Sequence, residues 1–125
     1  MNIQEALDMA DRMKPNMMDQ QIKIRFLSEL DGKIHEEIVL KHVFMPSEAK
    51  RPTYDTDTDP GTELIIPAPY DMLYVYYLMM QIDLMNQEMD KYNNDAALFE
   101  KYYGDAADWW NRRRMPISRV RELRI

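Results

Sequence analysis

The chain has 125 residues, 46% of them hydrophobic, which fits one domain with a real core. It contains no cysteine, so disulfides, thiolate zinc, iron–sulfur centres and cysteine nucleophiles are excluded, and a reducing compartment is accommodated. The net charge of −6 is unevenly spread: residues 112–125 hold six arginines against the single acid Glu122 and carry +5, which leaves −11 on the remainder.

An acidic body with a basic end suggests a nucleic-acid contact or docking on an acidic surface. It also lets identical copies pack tail to body. The amphipathic, acidic start MNIQEALDMADRMK has no signal-peptide pattern. The longest unbroken apolar run, Met72 to Met80, has nine residues. A membrane span needs about 20, so no membrane partner is expected. Twelve methionines suit irregular gaps and adaptable contact surfaces.

In chain order, Ile3, Ala6, Leu7, Ala10 and Met13 fall at helical spacing, and Pro15 ends that first helix. Asn16 is a suitable N-cap for the next, with Asp19 supporting its first turn. Met18, Ile22, Phe26, Leu30, Ile34 and Ile38 then recur every four residues, so the spacing predicts an amphipathic helix from about 17 to about 38. Gly32 inside it costs about 1 kcal/mol relative to alanine. From Ile38 to Met45 the chain turns β-branched and apolar, and Leu64-Ile65-Ile66 is a second β-like run ended by Pro67. The polar, acidic stretch between them reads as the loop of a small two-stranded hairpin. Such a ribbon is marginal alone and needs the helices or another subunit beside it.

Pro69 suits the first turn of a helix from about 70 to about 92. Between Tyr70 and Met85 only Asp71, Gln81 and Asp83 are polar, so this helix is apolar nearly all round and must be covered on more than one side. A further helical segment follows Asn93-Asn94, either as a break or as a bend, and runs to about Arg113 with Gly104 weakening its middle. The expected fold is mainly α, a small bundle of about four helices with a short two-stranded β-hairpin or loop insertion at about 39–67. The helical body covers 1–111, and 112–125 forms a basic C-terminal arm.

Residues for chemistry are sparse. Asp55, Asp57 and Asp59 alternate like the start of an EF-hand loop, but Gly61 is one place late and Ile66 stands where the bidentate glutamate belongs. The loop therefore reads as a solvated acidic one. His35-Glu36-Glu37 lacks the second histidine of a zincin motif because position 39 is Val39, and no Glu-x-x-His pair precedes His35 or His42. Both histidines read as surface or packing residues. Gly32, Gly61 and Gly104 are too far apart for a phosphate-cradling loop, and Ser28, Ser47 and Ser118 lie in no nucleophile-elbow context. No catalytic centre, metal site or cofactor is expected. Tyr70, Tyr74 and Tyr77 read as a core stripe or subunit interface. Of Trp109 and Trp110, adjacent residues about 100° apart on a helix, one is expected to seal the core and the other to anchor a partner.

Three segments carry a family resemblance: KIRFLSELDGKIHEEI (23–38), TELIIPAPYDMLYVYYLMMQID (62–83) and YNNDAALFEKYYGDAADWWNRRRMP (92–116). In pattern and order the chain resembles the small head–tail connector (adaptor, or head-completion) proteins of tailed bacteriophages and Gram-positive prophages. The resemblance covers most of the chain and rests on no catalytic signature. It implies a non-enzymatic virion protein of the neck, present in the host cytoplasm during assembly. Such proteins form a homo-oligomeric ring between the portal and the tail, contact the portal and the neck or tail completion proteins, and extend a channel through which DNA passes. Loops and C-terminal arms make many of these contacts. The matching candidates here are Tyr54, Asp55, Asp57 and Asp59 in the loop. At the other end they are Trp109, Trp110, Arg112, Arg113, Arg114, Arg119, Arg121 and Arg124. The competing readings are a nucleic-acid-binding regulator that uses the arginine-rich end, and an enzyme or metal-binding bundle, which lacks converging polar residues.

Overall fold

The computed structural model describes residues 1–42 and 50–113, with only the backbone described at His42. Four α-helices make up most of it: α1 (Ile3–Met13), α2 (Gln20–Ile34), α3 (Met72–Met85) and α4 (Met89–Arg113).

The first helix has the bounds its periodicity predicts. Its capping box pairs the Asn2 side chain with the Glu5 amide, and the Glu5 carboxylate with the Asn2 amide. The amides of Ile3 and Gln4 donate to the carbonyls of Thr62 and Pro60, both at 3.1 Å. The start of α1 thus satisfies its unpaired donors on the returning loop. The second helix begins later than expected. Asp19 is its N-cap, accepting from the Gln21 amide, whereas Asn16 shapes the preceding turn by accepting from the Met18 amide and donating to Asp11 and the Lys14 carbonyl. The guanidinium of Arg51 lies over Gly32, where a Cβ would come 2.6 Å from its Nε and the half-exposed arginine would have to shift.

The expected β-hairpin is not formed among the described residues. His35–Val39 continues α2 as a π-helical turn, and Leu40–His42 follows as a short 3-10 turn. Residues 43–45 of the first expected strand lie outside the described residues. Around Leu64-Ile65-Ile66 there is one isolated antiparallel bridge, Asn2 to Glu63, and no ladder. The physical reason is where the amides go. Leu64 donates to the Met1 carbonyl at 3.1 Å, Ile65 to the Asp31 carboxylate at 3.1 Å, and Ile66 to the Tyr74 hydroxyl at 2.9 Å. Leu64 and Ile66 are buried in the core, so the β-like run is an extended strap held by side chains and a helix start.

The apolar helix is the centre of the bundle. Leu73, Tyr74, Val75, Leu78, Met79, Met80 and Ile82 are all buried, and α3 packs on α1, α2 and α4 within the one chain. Its broad apolar surface is covered mainly by its own fold. It starts at Met72, two residues later than expected, and Pro69 lies in the turn before it behind a cis Ala68–Pro69 bond.

Asn93-Asn94 is neither a break nor an end; it lies inside α4. The chain turns earlier, at Asn86–Glu88. The Glu88 amide donates to Asp83 O at 2.9 Å and the Gln87 amide to Leu84 O at 3.2 Å, a Schellman closure with Gln87 in the left-handed region at φ 58°. Glycine normally occupies that position, because a Cβ there is strained. Gln87→Gly should therefore stabilise the fold by about 1 kcal/mol and raise Tm by roughly 3–5 °C in thermal unfolding. Gly104→Ala, where a Cβ meets nothing within 4 Å, should add a gain of similar size.

Candidate functional site

The expected loop contacts divide by role. Asp55 accepts from the amides of Asp57 (2.8 Å) and Thr58 (3.0 Å), and Asp59 accepts from the amide of Gly61 (2.9 Å). These carboxylates close their own turns. Asp57 is exposed at the tip. Tyr54 is half-buried, its amide donates to the Ser28 hydroxyl at 3.0 Å, and its hydroxyl donates to Asp31 at 2.6 Å. A shallow cavity of about 280 Å³ opens beside it, lined by Gln21, Ile22, Arg25, Tyr54, Asp55 and Thr56. The acidic turn therefore lies along α2, and its return strand lies against the start of α1.

The aromatic residues of the other candidate surface form a seam between α3 and α4. Tyr70 stacks on Trp109 (ring centres 5.5 Å), Tyr76 on Tyr102 (5.4 Å), and Tyr77 meets Phe99 (5.3 Å). Trp109 and Trp110 are both half-buried, in T-shaped contact with each other. The guanidinium of Arg113 lies 5.4 Å from the ring centre of Trp109. Arg112 and Arg113 are exposed on the last turn of α4. Arg114, Arg119, Arg121 and Arg124 lie outside the described residues. Trp110 packs against the core, and Trp109 stacks on Tyr70 with the Arg113 guanidinium near its ring.

Several functional polar groups were not singled out by the sequence. Asp31 is fully buried and accepts from Tyr54 (2.6 Å), Tyr74 (2.6 Å) and the Ile65 amide (3.1 Å). Burial raises its pKa, although the three donors oppose that rise, and the tyrosine hydroxyls facing it are also pushed up. The signal was present in register: Lys23, Leu27, Leu30, Asp31, Ile34 and Ile38 share one face, and Asp31 is the acid among them. Lys23, 2% exposed, pairs with Asp11, which also accepts from Asn16 and Gln20. Burial pulls the Asp11 pKa up, but these donors hold it below the usual carboxylate value. Lys14 bridges two acids, Asp83 on α3 and Asp95 on α4, the latter at 2.9 Å. His35 is buried at the head of the π-helical turn.

Among the described residues no group of three or more metal-ligating side chains converges, and no helix is long and apolar enough to cross a membrane. Asp31→Asn places an amide where three donors converge and leaves at least one of them unpaired. It should cost about 2 kcal/mol and lower Tm by roughly 5–10 °C, read by calorimetry. Comparison of the chain with protein families, with curated proteins and with solved structures gives no match in any of the three.

Proposed function

We propose that this chain is a non-enzymatic structural protein of a phage neck, a small head–tail connector. Copies of it form a ring between the portal and the tail and extend the channel for DNA. The observation that carries the reading is the charge division of one small helical body. The acidic turn Asp55–Asp59 lies against α1 and α2, while the basic end of α4, with Arg112 and Arg113, belongs to the helix that packs chiefly on α3. The arm that continues from it brings the basic total to +5 against −11 elsewhere.

A closed ring needs a heterologous interface, in which one patch meets a different patch on the next copy. Unlike charges on separate elements supply such a pair. The long helix α4 adds surface for it: only Asp95, Phe99 and Ala106 are buried along its 25 residues. An acidic body also suits a channel wall, because weak repulsion of phosphate lets DNA slide without sticking. The rival reading, a nucleic-acid-binding regulator, is favoured by the six arginines alone. It requires DNA affinity that falls steeply with salt.

Mass spectrometry of DNA-filled phage particles from the source host tests the proposal directly. Ring-like stoichiometry per portal supports it, and absence from intact particles sinks it in favour of the regulator. In a second test, replacing Arg119, Arg121 and Arg124 together by alanine should abolish assembly on the portal. The free protein's stability should stay within about 0.5 kcal/mol, the usual range for surface changes. Undiminished assembly of that variant would remove the arm from the mechanism.

A further inference from the structure

One buried cluster has no part in the proposed assembly surfaces. At the junction of α1, α3 and α4, the ammonium of Lys14 contacts Asp83 Oδ1 and lies 2.9 Å from Asp95 Oδ2. The side chains of Lys14, Asp83 and Asp95 are 16%, 0% and 9% exposed. Two carboxylates thus share one cation away from water. Asp83 Oδ2 and Asp95 Oδ2 are both buried without a hydrogen-bond partner, and Asp95 Oδ2 lies 2.9 Å from the Lys14 ammonium. A buried acceptor left in that state has lost its hydration without a replacement bond. A net negative charge on the same cluster adds to the cost.

We propose that Asp83 and Asp95 hold one proton between them, so that the three-residue cluster is a one-proton site that latches the end of α1 to the α3–α4 turn. With that proton the cluster is neutral. One carboxyl becomes a donor, and the unpartnered oxygens acquire a bond. Without it, one excess negative charge is trapped between three helices.

Among the described residues, Lys14 is the only cation in contact with either acid. Glu88 and Lys91 at the rim of the neighbouring cavity pair with each other at 3.1 Å, and Asp11 is matched by Lys23. Burial, reinforced by Asp95 and opposed by Lys14, raises the Asp83 pKa to about 6. The sign follows: a carboxyl with a raised folded-state pKa contributes stability that is complete below its unfolded value near 3.9 and is lost as pH rises through about 6. The latch is closed in mild acid and loosens towards neutral pH.

What it secures is the Schellman turn at Asn86–Glu88, since Asp83 also supplies the carbonyl that accepts from Glu88. Exposed Leu84, Met85 and Met89 flank that turn, and Met13 adjoins Lys14.

The test is carbon-13 NMR of the aspartate carboxyl carbons in the full chain, from pH 4 to 8. A titration step near pH 6 is expected at Asp83. In Asp95→Asn the like charge is gone, so the Asp83 step should fall towards or below the ordinary carboxylate range. If that variant does not fold, Asp95→Ser gives the same comparison. Hydrogen exchange supplies a readout that a purely structural pair would not move. Corrected for intrinsic chemistry, the amides of Asn86–Glu88 should exchange on the order of tenfold faster at pH 7.5 than at pH 5 in the native chain. They should show no such change in Asp83→Asn. An Asp83 step below pH 5 would overturn the proposal, and so would a step near pH 6 that survives loss of the partner acid.

Discussion

The buried carboxylate of Asp31 is the interaction on which the rest of the architecture depends. It lies at the contact of three pieces of chain that are far apart in sequence: α2, which carries it; the strap of residues 54–66; and the central helix α3. The strap has no strand partner, so its donors need acceptors elsewhere. Asp31 takes the Ile65 amide directly. It also orients the Tyr74 hydroxyl, which in turn accepts from Ile66. A carboxylate has four lone-pair sites, which is why one residue can replace a short ladder here. Removing it would strand donors in a dry interior, a larger penalty than loss of any one bond.

The same logic recurs at the other joints. The short helix α1 is held to α2 through Asp11 and Lys23 and to α3 and α4 through Lys14. Eleven residues cannot form a stable helix in isolation. Its apolar face of Ile3, Ala6, Leu7 and Ala10 supplies burial, and the ion pairs fix where that face sits. Buried ion pairs add little net stability over apolar packing, but breaking one costs several kcal/mol.

The outer surface has a different character. The acidic turn uses two of its three aspartates to close itself, which fixes the shape of a charged protrusion at little cost in order elsewhere. The long α4 lays an aromatic seam on α3 and leaves most of its length facing outward. The acidic turn and the arginine-bearing end of α4 are thus charged surfaces of opposite sign carried on different elements.

The sequence by itself determined the helices and the charge division. Period-3.6 patterning located α1 to the residue and Leu30, Ile34 and Ile38 of the α2 core, whereas Ile22 of the same expected stripe is exposed. The absence of cysteines and of glycine-rich loops was equally plain. Only the tertiary structure decided the rest. Leu64-Ile65-Ile66 has strand composition, yet its amides bond to Asp31, Tyr74 and Met1, partners that no local pattern reveals. The turn into α4 falls at Asn86–Glu88 and not at Asn93-Asn94. There the Schellman bonds and Lys14, reaching Asp83 and Asp95 from the end of α1, outweigh the preference of asparagine for turns. Propensity is a matter of tenths of a kcal/mol per residue, whereas a misplaced buried charge costs several. Where the two conflict, the contacts that the chain makes with distant parts of itself set the outcome.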